Sequence, residues 1–131
     1  MARHSIDIED ALRLVVSDAT LPASAPPLPP SFTTPWCLIK ATGGDTTDIV
    51  LDRMAVTVQV YADTWAEAQA YAETALARIR AAEATTIGTE ARGRAFVYYV
   101  ETDALPFNDP DPERNDLARR SFNLSIHIRN V

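Results

Sequence analysis

Few residues in this sequence could act as nucleophiles or bases, and they lie far apart along the chain. Cys37 is the single cysteine, and the two histidines are His4 and His127. A cysteine nucleophile needs a neighbouring base and a lowered thiol pKa, yet Cys37 stands between Trp36 and Leu38 in an apolar run. We therefore predict a buried packing cysteine, and a single cysteine allows no intramolecular disulfide. The sequence places no Ser, Cys or carboxylate to work with His127, so it predicts no catalytic residue and no enzyme.

Three acidic residues at alternate positions could instead bind a hard cation. Asp109, Asp111 and Glu113 offer the carboxylate oxygens that such ions prefer. Their segment lacks the glycine and the distal glutamate of a calcium loop. We interpret it as a solvated acidic turn, and we expect the protein to bind neither a metal ion nor a cofactor.

Five aromatic residues could stack on nucleic-acid bases or on a planar cofactor. They are Trp36, Tyr61, Trp65, Tyr98 and Tyr99. No Gly-rich phosphate loop and no run of interleaved basic residues accompanies them, so packing in the core or in an interface is the better interpretation. The formal net charge of −6 also argues against non-specific nucleic-acid binding, and nothing in the sequence predicts sequence-specific binding.

The elements that must position these residues are clearest where the hydrophobic period changes. Apolar residues recur at every second position over residues 54–60 and at helical spacing over residues 65–79. This change predicts a strand over residues 54–62 that leads directly into a helix. Thr64 can cap the helix through its hydroxyl, with Glu67 three residues further on as in a capping box.

A first helix and three further strands complete the predicted elements. Asp7 can cap an amphipathic helix that begins at Ile8. A segment with six prolines follows, and we expect it to be extended and outside the sheet interior. The three further strands are predicted at residues 36–41, 96–103 and 122–128.

Together these elements predict one α+β domain over residues 1–131. We expect a mostly antiparallel four-stranded sheet that carries two helices, in the order α-β-β-α-β-β. Two long exposed loops are predicted, at Asp45 to Asp52 and at Leu105 to Asp116. No stretch approaches the roughly 20 apolar residues of a membrane helix, and the first residues lack the apolar core of a signal peptide. We therefore expect a soluble protein that is made in the cytoplasm.

One pattern of elements covers nearly the whole chain, from Ile6 to Val131. A run beginning PWCLIKATGG leads to the strand-to-helix phrase VQVYADTWAEAQAYA, and then come a further strand, a loop containing DPDPER and a last strand ending in IHIRNV. In size, element order and this phrase, the chain resembles the tail terminator (tail completion) proteins of long-tailed phages, especially phages of actinobacterial hosts.

What the resemblance implies is a structural protein of the virion tail, assembled in the host cytoplasm. Proteins of this family form a ring, usually a hexamer, that caps the head-proximal end of the tail tube and stops its growth. The implied partners are further copies of the chain, the tail tube protein and the neck or head-tail connector proteins, with DNA passing through the ring. A ring subunit needs two different patches that complement each other head to tail.

We expect the subunit and tube contacts in the two long loops and in the charges near them. The predicted interface residues are Asp45, Asp48, Asp52, Phe107, Asp109, Asp111, Glu113, Arg114, Arg119, Arg120 and Arg129. Attraction between the acidic and basic members would steer one copy onto the next. Replacing Arg119 and Arg120 with Glu is accordingly expected to spare folding and to harm assembly, whereas a charge at Leu76 or Ile79 would unfold the domain.

Two other functions stay open on the sequence. A different head-tail connector or neck protein would share the small size, the ring symmetry and the acidic charge. A small ligand-binding or enzymatic α+β domain would instead have a pocket between the sheet and the second helix. A ligand bound there would raise the melting temperature of the protein.

Overall fold

Two helices and six strands make up the part of the chain that the computed structural model describes, residues 5–47 and 51–131. The helices are α1 (Ile8–Val16) and α2 (Trp65–Arg80). The strands are β1 (Ala23–Ser24), β2 (Trp36–Thr46), β3 (Asp52–Ala62), β4 (Thr86–Thr89), β5 (Gly93–Asn108) and β6 (Ala118–Asn130). His4 and the predicted interface residue Asp48 lie outside the described residues.

The six strands form one mixed sheet in the order β1-β2-β3-β6-β5-β4. β1 pairs with β2 in parallel, and the other neighbouring pairs are antiparallel. The predicted four-stranded antiparallel sheet is therefore wrong, although the predicted order of elements roughly fits. The prediction missed β1 and β4, which have two and four residues. Strands this short show no recognisable period of two in a sequence.

β1 lies in the proline-rich segment that we expected outside the sheet interior, and it forms an edge strand of the sheet. Its two residues follow Pro22, whose carbonyl accepts a 2.9 Å hydrogen bond from the Cys37 amide. The Trp36 indole donates a 3.0 Å hydrogen bond to the Ser24 hydroxyl. A proline is tolerated beside such an edge strand because its carbonyl can still accept a bond, although it has no N–H to donate.

β3 and β6 form the centre of the sheet. Eleven successive residue pairs join them, from Asp52↔Ile128 to Ala62↔Ala118, without a register shift. One face of this pair packs against the helices through buried apolar side chains, which are Val56, Val58, Val60, Phe122, Leu124, Ile126 and Ile128. The other face, which we call the polar face, carries the alternate residues of both strands.

Both helices begin where the sequence predicted. The Asp10 amide donates to the Asp7 carboxylate at 3.1 Å, and the Glu67 amide donates to the Thr64 hydroxyl at 3.2 Å. These bonds satisfy amides of the first turn that have no partner within the helix. The capping roles predicted for Asp7 and Thr64 are confirmed. Among the described residues, the Glu67 side chain does not accept the return bond from the Thr64 amide that a capping box would add.

β5 extends beyond the predicted strand. It ends at Asn108 rather than at Asp103, so the loop before β6 covers only residues 109–117. Pro106 fits within the strand because β4 pairs only with the first residues of β5, which leaves the outer edge at Pro106 without a partner strand in the described chain. Two of the three register shifts of β5 against β6, between Thr102 and Ala104 and between Ala104 and Phe107, interrupt the regular pairing in this part of the strand.

The β2–β3 hairpin is also tighter than predicted. The strands remain paired as far as Thr46↔Asp52, so Asp45, Thr46 and Asp52 of the expected loop are strand residues. A register shift lies between Ala41 and Gly43, and Gly43 and Gly44 have φ values of 135° and 147°. An L side chain rarely adopts such angles, which explains the two glycines.

Candidate functional site

A polar cluster forms where β3 ends, β6 begins and the loop before β6 folds back. We call it the Tyr61 cluster, and its members are Tyr61, Asp109, Asp111, Arg119 and Ser121. The Tyr61 hydroxyl donates to the Asp111 carboxylate at 2.8 Å and accepts a bond from Arg119 at 3.2 Å. The Arg119 guanidinium lies 3.3 Å from the Asp109 carboxylate and 3.6 Å from that of Asp111. The Ser121 hydroxyl donates to Asp109 at 2.6 Å.

Burial and neighbouring charges set the protonation of this cluster. Desolvation and the hydrogen bond to Asp111 raise the pKa of the Tyr61 phenol. Partial burial of Asp111 acts to raise its pKa, but the Tyr61 hydroxyl, the Glu113 amide and Arg119 outweigh it, so the pKa is lowered. The pKa of Arg119 is raised despite its desolvation, because Tyr61 and two carboxylates surround it. These pKa shifts favour a protonated Tyr61 phenol, an ionised Asp111 and a charged Arg119 at neutral pH.

Aromatic contacts fasten the proline-rich segment to this cluster. The centroid of the Phe32 ring lies 5.5 Å from that of Tyr61 and 5.8 Å from that of Trp36. The guanidinium carbon of Arg114 lies 5.1 Å from the Phe32 centroid. Arg114 also pairs with Asp116 at 3.0 Å. The loop before β6 is therefore held by cation–π and ring contacts within the chain.

Four predicted interface residues thus use their charges inside the chain. They are Asp109, Asp111, Arg114 and Arg119. Glu113 differs, because its amide donates to Asp111 while its side chain is exposed. The sequence placed Asp109, Asp111, Glu113 and Arg114 in one predicted loop, with Arg119 near it, but gave no sign of which charges were paired.

Asp45 and Asp52 belong to the β2–β3 hairpin, at the other end of the sheet. Asp45 pairs with Arg53 at 3.1 Å. Asp52 accepts bonds from the Thr46 hydroxyl and from the Asn130 amide, each at 3.1 Å. These contacts tie the hairpin to β6. Because β3 separates the two groups along its length, the structure does not bring the hairpin acids near the Tyr61 cluster.

Arg120 and Phe107 lie near the far end of β5. The Arg120 guanidinium lies 5.7 Å from the ring centroid of Trp65, and its buried Nε has no hydrogen-bond partner among the described residues. Phe107 is 39% exposed, and Leu105 is 65% exposed. We call residues 103–108 the β5 arm. Leu105 begins the loop in which we predicted contacts, but it was not among the individually predicted interface residues.

An open groove with a volume of about 750 Å³ separates α2 from the β5 arm. Its lining residues are Gln69, Glu73, Leu76, Ala77, Arg80, Ala81, Leu105 and Pro106. Both walls contribute apolar side chains, and Glu73 and Arg80 supply one charge of each sign. Such a groove could accept an apolar segment of another protein or a small molecule.

Arg129 lies on the polar face, near the end of β6, directly across from Phe96 of β5. The Phe96 and Tyr98 ring centroids are 5.1 Å apart, and Tyr99 stacks on His127 with centroids 4.3 Å apart. We define an aromatic–arginine patch by Arg94, Phe96, Tyr98, Tyr99, His127 and Arg129. Arg94 and Phe96 were not predicted as site residues, because their proximity to Arg129 depends on the pairing of β5 with β6.

Neither metal ligation nor thiol chemistry is favoured by the remaining residues. Within residues 5–47 and 51–131, no group of three or more His, Cys, Asp or Glu side chains could hold a metal ion. Cys37 is fully buried, and this desolvation raises the pKa of its thiol to about 12. In the same part of the chain, neither helix combines the length and apolar character needed to cross a membrane.

Comparison of the chain with protein-family models gives no match. Comparison with curated proteins gives no match either, so the surfaces described above carry the functional inference.

Proposed function

We propose that this chain is a phage tail terminator, a structural protein whose copies form a ring on the head-proximal end of the tail tube. In that role the ring, usually hexameric in the family that the sequence resembles, stops tube growth and offers a surface to the neck or head-tail connector proteins. DNA passes through its centre. The protein would then reside in the virion tail after assembly in the host cytoplasm.

The observation that carries the proposal is the exposed apolar β5 arm. Leu105 is 65% exposed and Phe107 is 39% exposed, next to a groove that runs along α2. Neighbouring apolar side chains that remain in water are typical of a surface that another protein covers. A contact with the tube protein or with a neighbouring copy would bury them.

The backbone of the arm also favours docking. Pro106 fixes one backbone angle, and pairing with β6 continues through Phe107 and Asn108. Less conformational entropy is lost when an already ordered segment binds. Pro106 and the register shifts also protect the outer edge of β5 from adding an unrelated strand. The arm is therefore suited to contacts through its side chains.

The proposal is tested with purified tail tube protein from a phage that encodes this chain. Electron microscopy of tubes assembled with and without the chain should show a ring at one end and arrested elongation. Leu105→Asp should abolish capping, because docking would bury its charge. Leu14→Asp is the matched control, since Leu14 is 48% exposed on α1, outside the arm. Tubes of unchanged length in the presence of the folded native chain would exclude the tail-terminator role.

A ligand-binding function is the second candidate, and the groove beside α2 favours it. A small molecule bound there would stabilise the folded state and raise the melting temperature. A metabolite screen by thermal shift tests this, with Ala77→Trp as a variant that fills the groove. A shift that Ala77→Trp removes would support ligand binding, whereas no shift with any metabolite would leave this function without support.

A further inference from the structure

Arg94 and Arg129 differ from the other arginines of the described chain. Each of the others has an ion pair, a hydrogen bond or an aromatic ring as partner, and these are Arg13, Arg53, Arg78, Arg80, Arg92, Arg114, Arg119 and Arg120. Arg94 and Arg129 are exposed, and among residues 5–47 and 51–131 neither side chain has such a partner. Both lie beside Phe96 on the polar face, since Arg129 is its cross-strand neighbour and Arg94 precedes it by two residues.

Aromatic side chains next to these cations make the patch suitable for a protein partner. Tyr98 and Tyr99 are each 46% exposed. The Tyr99 ring is held by its stack on His127, which lies 3.3 Å from the Glu101 carboxylate. Tyrosine and arginine are among the residues that contribute most to binding in protein interfaces, and a ring already held in place loses little entropy on docking.

A complementary surface lies at the other end of the sheet. We call Asp63, Glu67 and Glu113 the carboxylate end. These three residues are exposed, and in the described part of the chain none has a cationic partner. The Asp63 carboxylate accepts a 2.7 Å hydrogen bond from the Thr34 hydroxyl. Trp65, which is 41% exposed, lies between Asp63 and Glu67 along the chain and adds an aromatic surface.

The two surfaces cannot meet within one copy. The carboxylate end lies beside the pair Ala62↔Ala118, and the patch lies beside the pair Phe96↔Arg129. The length of β6 between these pairs is about 37 Å at the usual rise of a strand. A contact between them therefore requires two copies, each giving one surface and receiving the other.

From this arrangement we infer that the aromatic–arginine patch of one copy binds the carboxylate end of a second copy, head to tail. The inference rests on the proposed function, because this contact would join neighbouring subunits of the ring. Nucleic acid fits the patch less well, since Glu101 and Asp103 lie on the adjacent part of β5 and the whole chain has a net charge of −6. Repeating one such contact can close a ring.

Charge reversal on each side tests the contact. The first variant is Arg94→Glu/Arg129→Glu, and the second is Glu67→Arg/Glu113→Arg. Light scattering over a concentration series should show that the native chain forms oligomers. Either double variant should raise the dissociation constant of this association at least tenfold at low salt. An equimolar mixture of the two variants should associate again, because each mismatched surface then meets its reversed partner.

Controls keep the outcomes distinct. Lys40→Glu and Glu90→Arg change charge by the same amount per residue outside the two surfaces, and should leave the mass unchanged. A native chain that stays monomeric, or variants that keep the native mass, would overturn the contact. Loss of single-stranded oligonucleotide binding in the first variant, with unchanged mass, would assign the patch to nucleic acid instead. Tube capping by the native chain is scored separately, so the ring function can stand when this contact fails.

Discussion

The hydroxyl of Tyr61 lies 2.8 Å from a carboxylate oxygen of Asp111, fifty positions later in the chain. Tyr61 is 2% exposed. Its bond to Asp111 joins the end of the central strand β3 to the loop before β6. The loop is therefore part of the folded structure of the subunit, and the buried Tyr61 side chain holds Asp111 in place.

Removing the Tyr61 hydroxyl should destabilise the protein while keeping its fold. Tyr61→Phe removes one of the donors to Asp111 and one of the acceptors of Arg119, which should cost about 1 to 3 kcal/mol. The free energy of unfolding in urea measures this loss. Tyr99→Phe is the control, because Tyr99 is exposed and contacts His127 through its ring. Equal stability of the Tyr61→Phe and native chains would show that the hydrogen bond contributes nothing.

The two arginines at positions 119 and 129 should respond differently to reversal. The Arg119 side chain is 13% exposed and contacts two carboxylates. Arg119→Glu would leave uncompensated charges there and should cost about 3 to 5 kcal/mol. Arg129→Glu should leave the unfolding free energy nearly unchanged, since Arg129 is exposed and unpaired within the described residues. The sequence-based expectation that reversal at Arg119 spares folding is revised accordingly, and matching stabilities of the two variants would contradict the revision.

Asp18 should make the stability of the protein sensitive to acid. Its bonds to the Thr20 hydroxyl and the Leu21 amide, with the help of Arg78, lower its pKa from 3.8 to about 2. Because the folded pKa is the lower one, the stabilisation is complete above about pH 4 and disappears as the pH falls towards 2. Asp18→Asn should melt earlier than the native chain at pH 7, and this difference should shrink between pH 4 and 2. A difference independent of pH would exclude the linkage.

Gly44 should tolerate a methyl group less well than Gly43. A Cβ on Gly44 would lie 2.1 Å from the Arg53 carbonyl oxygen, whereas a Cβ on Gly43 would meet nothing within 4 Å. Both positions have positive φ, so each alanine carries about 1 to 2 kcal/mol of backbone strain. Gly44→Ala adds a steric clash and should be the less stable variant in thermal unfolding. Reversed melting temperatures would show that the hairpin relaxes around residue 44.

Cys37 should be unreactive until the protein unfolds. Its thiol is fully buried and has a pKa raised to about 12, so the reactive thiolate is scarce at pH 8. A chromogenic disulfide reagent should label less than a tenth of the native protein in an hour at pH 8, and label all of it in concentrated guanidinium. Rapid labelling of the native protein would show that β2 opens readily.

Local patterns in the sequence predicted much of the fold. The change of period before Thr64, the caps at Asp7 and Thr64, and the alternation in β6 all depend on residues that are close in the chain. The prediction missed β1 because a strand of two residues shows no periodic pattern in the sequence. The length of β5 was missed because Pro106 suggests a loop unless the free edge of the strand is known.

The candidate site depends on pairing that the sequence does not show. Arg119 and Arg129 look alike in a sequence, yet one is held between carboxylates and the other is exposed without a partner in the described chain. Only the register of β6 against β3 and β5 distinguishes them. The predicted loop contains carboxylates that are paired within the chain, such as Asp111, and the exposed carboxylate of Glu113, which has no cationic partner among the described residues.

The position of β6 has a consequence for synthesis on the ribosome. β6 is the last strand in order along the chain, yet it lies between β3 and β5 at the centre of the sheet. A nascent chain translated only through β5 lacks the strand that joins the two halves, so the backbone N–H and C=O groups on the facing edges of β3 and β5 would stay unpaired until β6 emerges. Such long-range pairing slows folding and exposes the intermediate to aggregation. Stalled or prematurely terminated translation products should therefore depend on chaperones and be removed rapidly by proteases.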